Sequence, residues 1–290
     1  MGSALREWLE AMAAGLFFRM FGGLPLDWAS AVGGWIGRVV GPLLPVSGVA
    51  RRNLLRVFPD WTEAERRRTI RRMWDHLGRV AGEYPHLPDF RFGPGERVQI
   101  EGGEVLDLLR DDEKPGLFFG AHLGNWELMA FSIIHHGLRG GIIYRAASNR
   151  RVNWLFTRGR DSIGLELIPK GARGARQALE LLKQGGHLGM LVDQKMNDGI
   201  SVPFFGIDAM TPPALASFAL KFGCPVVPTR VLRTKGAHYR VIFDKPWHFA
   251  ASDDRQADML SAMTRVNQVL EGWIRQNPEQ WLWLHKRWPG

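Results

Sequence analysis

A histidine and a glutamate five positions apart are the residues of this chain best suited to do chemistry. His122 follows the apolar run 117–121, and Glu127 comes after a glycine-bearing turn. We expect Asn125 to cap a helix, which places Glu127 in its first turn, facing back toward the strand end. The Glu127 carboxylate would accept Nδ1–H of His122 and leave Nε2 to take a proton from an attacking hydroxyl. The pair then predicts general-base catalysis without an enzyme nucleophile. The alternative is a structural histidine that caps the helix or binds a core carbonyl.

Polar residues also follow two other apolar runs. Asp193 and Gln194 come directly after one, and Arg145 follows the run 140–144. Open α/β sheets bind ligands at the carboxyl ends of their strands, so each is a candidate site residue. Asp193 and Gln194 would order an acceptor or the 203–212 loop, with simple turn formation as the alternative. Arg145 would be an oxyanion donor or a phosphate ligand, with an ordinary surface arginine as the alternative.

The elements that must position these residues alternate between short β-rich runs and helical runs. This alternation predicts an α/β fold, a single layered domain with a mainly parallel central sheet flanked by helices. The last two strands, joined at Thr234-Lys235-Gly236, predict an antiparallel hairpin near one edge. Thr211 is expected to cap the helix that ends at Gly223, which makes a substrate role for it secondary. The predicted strands are 97–100, 116–121, 140–144, 187–192, 225–232 and 238–243, and the predicted helices are 62–83, 103–110, 125–136, 150–162, 172–184, 212–222 and 255–276.

The N-terminal part of the chain differs in character from the rest. Residues 1–93 predict a helical, membrane-associating extension, and residues 94–290 predict the catalytic α/β domain. Between residues 4 and 20, apolar side chains recur at helical spacing on one face, which is typical of a helix lying on a bilayer surface. A helix packed on the protein's own core is the alternative. Arg19 and Arg38 interrupt the apolar sequence, so no window predicts a spanning helix.

The chain of 290 residues is basic, with 38 Lys and Arg against 29 Asp and Glu. Much of the excess lies in two stretches, 51–72 and 145–176, which favours phosphates, anionic lipid or an acidic protein as partner. A nucleic-acid partner is not expected, because no zinc-finger, aromatic RNA-binding or Gly-rich clamp motif is present. The single cysteine, Cys224, excludes a disulfide framework and a Cys-based zinc site. No serine has the G-x-S-x-G flanks of an α/β-hydrolase. We expect neither a metal nor a cofactor.

The order of the motifs along the chain resembles one enzyme family. The His122-x4-Glu127 pair after an apolar strand resembles the catalytic motif of the glycerolipid acyltransferase superfamily. The remaining motifs resemble the late acyltransferases of lipid A biosynthesis within that superfamily, in the right order over nearly the whole chain. These motifs are Ala50-Arg51-Arg52-Asn53-Leu54, Phe58-Pro59, Tyr144-Arg145, Leu191-Val192-Asp193-Gln194, Pro203-Phe204-Phe205-Gly206, Thr211-Pro212, Pro225-Val226-Val227-Pro228 and the segment 278–288.

The resemblance implies an acyltransferase that moves a fatty acyl chain from an acyl carrier protein thioester to a hydroxyl of a phosphorylated lipid A precursor. It implies a peripheral or monotopic enzyme on the cytoplasmic face of the inner (plasma) membrane. The acidic carrier and the phosphorylated glycolipid would both suit the basic stretches. An acyl-CoA- or carrier-dependent enzyme for another glycolipid or a lysophospholipid is the alternative. The implied catalytic residues are His122 and Glu127, and the implied substrate-binding or oxyanion residues are Arg145, Asn125, Asp193, Gln194 and Thr211.

Overall fold

A seven-stranded sheet forms the centre of the protein in the computed structural model, which describes residues 3–146, 149–161 and 164–289. The strands are β1 (Val98–Glu101), β2 (Gly116–Gly120), β3 (Gly140–Tyr144), β4 (Glu166–Pro169), β5 (His187–Leu191), β6 (Ile200–Phe204), β7 (Ile207–Thr211), β8 (Val226–Lys235) and β9 (His238–Phe243). The sheet order is β1-β9-β8-β2-β5-β3-β4, and every adjacent pair is parallel except β8 and β9. Strands β6 and β7 form a separate antiparallel hairpin.

Helices cover both faces of this sheet and account for most of the N-terminal third. The α-helices are α1 (Ser3–Gly22), α2 (Leu26–Val40), α3 (Ser47–Val57), α4 (Glu63–Glu83), α5 (Gly103–Asp111), α6 (Glu127–His135), α7 (Arg150–Asp161), α8 (Ala172–Lys183), α9 (Ala214–Phe222) and α10 (Arg255–Gln276). In β2, Phe119 points into the core with α8, α9 and α10, whereas Phe118 points into the core with α5 and α6.

The structure confirms the mainly parallel sheet flanked by helices and the antiparallel hairpin of β8 and β9. It also confirms the capping box of α4, in which the Thr62 side chain accepts from the backbone N–H of Glu65. The predicted last residue of α7, residue 162, lies outside the described residues. Helices α2 and α3, strand β4 and the β6–β7 hairpin were not among the predicted elements. The division of the chain at 93/94 remains a prediction.

Helices α2 and α4 pack with their backbones in close contact. A Cβ atom added at Gly33 would lie 2.3 Å from the carbonyl oxygen of Gly78, and one at Gly37 would lie 2.1 Å from that of Trp74. Only glycine permits this approach, which explains why a segment with low helix propensity is helical here. Tertiary packing therefore decides the structure of residues 26–40.

Helix α1 exposes the apolar face that its spacing predicts. Leu5, Trp8, Met12, Leu16 and Met20 are all about half exposed, so this face does not pack on the protein's own core. The described residues include no single helix that is long and apolar enough to cross a membrane. The pair Leu26–Leu43 and Ser47–Val57, bent by 83°, has the required length and composition only when its two helices are taken together.

Candidate active site

Three neighbouring strands bring the predicted polar residues to one edge of the sheet. Strands β2, β5 and β3 lie side by side and run parallel, so their carboxyl ends meet. His122 follows β2, Asp193 follows β5 and Arg145 follows β3. This is the edge at which open α/β sheets bind ligands.

Asp193, not Glu127, holds the imidazole of His122. The Nδ1 atom of His122 lies 2.8 Å from Oδ1 of Asp193, and the backbone N–H of His122 donates to Oδ2 at 2.9 Å. The expectation that Glu127 accepts Nδ1–H is therefore wrong. The reason is topological, because β5 lies directly beside β2 and delivers a carboxylate to His122 from 71 residues away.

The environment of Asp193 keeps its carboxylate ionised. Burial on its own raises the pKa of this group, but the adjacent His122, the two hydrogen bonds from His122 and a third from Trp281 lower it to about 2. The indole N–H of Trp281 donates to Oδ2 at 2.8 Å. Because an ionised carboxylate only accepts hydrogen bonds, the proton of neutral His122 resides on Nδ1. The Nε2 lone pair is then available as a base.

His122 lines a cavity of about 280 Å³ together with Glu127, Trp126, Arg145 and Lys170. Gln194 lies at this position as well, with its amide nitrogen 3.2 Å from Nε2. This contact assigns Gln194 Nε2–H as the donor to the unprotonated imidazole nitrogen. A substrate hydroxyl that reached Nε2 would replace the Gln194 amide there.

The turn that carries His122 depends on a glycine and on the C-terminal segment. Gly124 has a φ of 60°, and a Cβ atom there would lie 2.1 Å from the carbonyl oxygen of Val231. Its N–H donates to the carbonyl of Gln280, and the His122 carbonyl accepts from the N–H of Leu282. The chain end at 280–282 therefore runs along the turn and fixes it.

Two of the candidate residues lie away from the cavity. Asn125 is buried, and the expected cap of α6 at this residue is wrong, because the N-cap residue of α6 is Trp126. The side-chain amide of Asn125 donates to Glu83 Oε2 at 3.2 Å. Thr211 is also buried, and its hydroxyl donates to the Ala209 carbonyl and accepts from Arg287. Thr211 ends β7, and α9 has Pro213 as its N-cap, so the expected cap at Thr211 is wrong. Both side chains support neighbouring elements instead.

The family of the chain follows from comparison with known proteins. The family model described as bacterial lipid A biosynthesis acyltransferase matches residues 2–289. The chain belongs to this family. It is an acyltransferase.

Relatives that are named for lipid A biosynthesis align with most of the length of this enzyme. A lipid A biosynthesis acyltransferase of Haemophilus influenzae is 28% identical over 83% of this chain and 76% of the relative. The lipid A biosynthesis palmitoleoyltransferase of Escherichia coli is 26% identical over 97% of this chain and 91% of its own length. The lipid A biosynthesis lauroyltransferase of Escherichia coli is 26% identical over 82% of this chain and 78% of its own length.

The C-terminal segment of the enzyme contacts the residues that follow β5. Trp281 binds Asp193, and Nε2 of His285 accepts the backbone N–H of Lys195 at 2.8 Å. Burial lowers the pKa of His285, which favours the neutral ring that this contact requires. Asn53 of α3 in turn donates to the carbonyls of Trp283 and His285. These residues lie inside the motifs 50–54 and 278–288, which was the only indication in the sequence that they support the site.

Lys170 is a further cation at the cavity, which the sequence pattern alone does not identify. It follows β4, and its N–H donates to the Tyr144 carbonyl at 3.0 Å. Lys170 and Arg145 line both the catalytic cavity and an adjoining cavity of about 640 Å³, whose remaining wall is largely apolar. The acyltransferase thus has an imidazole, a carboxylate and two cationic side chains around two cavities that share lining residues.

Proposed function

We propose that the enzyme transfers a fatty acyl chain from an acyl carrier protein thioester directly to a hydroxyl of a phosphorylated lipid A precursor. The observation that carries this proposal is the His122–Asp193 pair, in which Asp193 binds Nδ1 of a histidine that lines the catalytic cavity. The three relatives named above are lipid A biosynthesis acyltransferases, which favours a lipid A precursor as acceptor.

In the proposed reaction, Nε2 of His122 removes the proton of the acceptor hydroxyl as its oxygen attacks the thioester carbonyl. The tetrahedral intermediate then collapses, the carbon–sulfur bond breaks, and the imidazolium returns the proton to the departing thiolate. Asp193 stabilises the imidazolium between the two steps, since its carboxylate bonds Nδ1–H throughout. Atoms and charge balance without a covalent acyl-enzyme.

We propose that Glu127 helps to position the acceptor in the cavity. Glu127 is buried at the first residue of α6 and lines the cavity together with His122. A carboxylate is favoured at a helix N-terminus, where the macrodipole is positive. From there Glu127 would orient the acceptor and add to the electrostatic stabilisation of the imidazolium.

Arg145 and Lys170 are the proposed partners of the negative charges in the reaction. Both line the two cavities where these adjoin. A cation there would stabilise the oxyanion of the intermediate or bind a phosphate of the acceptor. The acyl chain of the donor would occupy the adjoining cavity, whose wall includes Met190, Leu215 and Phe218.

We also propose that the enzyme acts at the cytoplasmic face of the inner membrane, as a peripheral or monotopic protein. The exposed apolar side chains of α1 and α2, such as Trp8, Trp28 and Trp35, support this location. Aromatic rings with a polar N–H are favoured at the interface of a bilayer.

The test is a transfer assay with purified protein and a radiolabelled acyl carrier protein thioester. A lipid A precursor and a lysophospholipid are offered in parallel, and an acyl-CoA donor is compared. We expect product on the lipid A precursor from the carrier donor. Product on the lysophospholipid alone would move the acceptor to another lipid class, and product from acyl-CoA alone would exclude the carrier. No product from any combination would contradict the proposed reaction.

A further inference from the structure

A groove on the N-terminal helices lies apart from the catalytic cavity and shares none of its lining residues. It has a volume of about 800 Å³ and is formed by the end of α2, the 41–46 segment, the start of α3 and one side of α4. Its walls combine arginines with apolar side chains. The proposed reaction gives this groove no role.

Four arginines line the groove with a single carboxylate among them. Arg51 lies 3.0 Å from Glu63, and Arg67 lies 3.9 Å from it. Arg38 and Arg71 are exposed and form no ion pair with the described residues. The groove therefore keeps an excess of positive charge that one glutamate does not neutralise. Such an excess attracts an anion, and arginine forks match the oxygens of a phosphate.

The apolar part of the groove continues into an exposed apolar surface. Val39 and Leu44 line the groove and are 45% and 40% exposed. In the described part of the chain, fifteen of the nineteen large apolar side chains that are exposed belong to residues 5–55. The neighbouring Leu43 is 81% exposed. The groove thus lies at the border between an apolar surface and a cationic one.

We propose that this groove binds the phosphate headgroup of an anionic phospholipid while the adjacent apolar side chains enter the acyl layer of the same bilayer. The cations would bind the phosphodiester, and Val39, Leu43 and Leu44 would contact the chains. This inference rests on the proposed peripheral association with a membrane. A bilayer places anionic headgroups directly beside an apolar layer, which matches the border between the cationic groove and the exposed apolar side chains.

The experiment measures binding of the purified full-length chain to sedimenting vesicles, without any acyl substrate. Vesicles of phosphatidylcholine alone are compared with vesicles that also contain phosphatidylglycerol, at fixed ionic strength. The variant is Arg38→Gln with Arg71→Gln. The matched control is Lys183→Gln with Lys235→Gln, which removes the same charge from exposed positions outside the groove. Arg38→Lys with Arg71→Lys keeps the charge, and circular dichroism checks that every variant is folded.

The groove variant should lose about 25-fold in affinity for the anionic vesicles, because it lacks two cations and each cation near an anionic surface contributes about fivefold. Its affinity for phosphatidylcholine should be unchanged, and both the control and the lysine variant should stay within a few-fold of wild type on anionic vesicles. An equal loss in the groove variant and the control would reduce the effect to net charge and overturn the headgroup site.

Two other outcomes also overturn the proposal and separate it from the proposed function. If the groove variant binds anionic vesicles like wild type but needs more carrier donor in the transfer assay, the groove serves the carrier protein. If wild-type protein binds neither kind of vesicle yet transfers acyl chains in detergent, the membrane association fails while the proposed reaction stands.

Discussion

Replacing Asp193 by asparagine should remove most of the activity by changing the tautomer of His122. The carboxylate accepts three N–H donors, namely Nδ1 of His122 on Oδ1 and the His122 backbone and Trp281 indole on Oδ2. An asparagine amide offers only one oxygen. If the amide oxygen takes the Oδ2 position, it accepts from the His122 backbone N–H and the Trp281 indole, and the amide NH₂ group then faces Nδ1 of His122. Nδ1 must then accept, and the proton moves to Nε2, where no base remains.

The opposite amide orientation would set an NH₂ group against two N–H donors at 2.8–2.9 Å, so the wrong tautomer is favoured. Loss of the tautomer that carries its proton on Nδ1 costs about 10⁴-fold in kcat, which corresponds to about 5 kcal/mol in the activation free energy. Since Asp193 is buried and does not line the cavity, KM should change little. The assay is steady-state acyl transfer, with thermal melting to confirm that the variant folds. A folded Asp193→Asn enzyme with kcat within tenfold of wild type would refute the reasoning.

Three further predictions concern other buried groups. Glu127→Gln should lower the rate of transfer by roughly 10- to 100-fold, which is less than the loss for Asp193→Asn, because His122 keeps its Nδ1 partner. If the same assay shows a larger loss for Glu127→Gln than for Asp193→Asn, Glu127 is the residue that orients His122. Burial raises the pKa of the Cys224 thiol to about 11, so intact-mass analysis after mixing with donor alone should find no acyl adduct, and Cys224→Ala should keep wild-type transfer. Burial and the nearby Arg233 lower the pKa of His76 to about 3, so the unfolded state binds the proton first as the pH falls below about 6.5. The free energy of unfolding should therefore drop by about 2 kcal/mol more in wild type than in His76→Gln between pH 7 and pH 5 in denaturant titrations, and equal drops would show that His76 is not buried as a neutral ring.

The sheet could be predicted because its signals are local. The strands β2, β5 and β8 are apolar runs bounded by turn residues, and the β8–β9 hairpin has a recognisable turn at 234–236. The β6–β7 hairpin lacks a typical turn signal, because its two-residue turn places Phe205 at a φ of 56°, a conformation that phenylalanine rarely adopts. Its conformation is held instead by packing and by the bond from the Phe205 N–H to Glu271 at 2.7 Å.

The sequence locates the residues of the candidate site but does not show which of them contact one another. The positions of His122, Asp193 and Arg145 at strand ends followed from the alternation of elements. Which carboxylate reaches His122 depended on strand order, and nothing local in the sequence states that β5 lies beside β2. Glu127 was favoured because it is close in sequence, whereas the observed partner is close only in space.

The most direct test of the central claim compares wild type with His122→Ala, and with Asp193→Asn as a second variant, in one transfer assay on a lipid A precursor. We expect the His122 variant to fold, to bind the acceptor with a similar KM and to lose at least about 10²- to 10⁴-fold in kcat. Near-normal transfer by folded His122→Ala would contradict general-base catalysis by His122, since no base would then be required at the carboxyl end of β2.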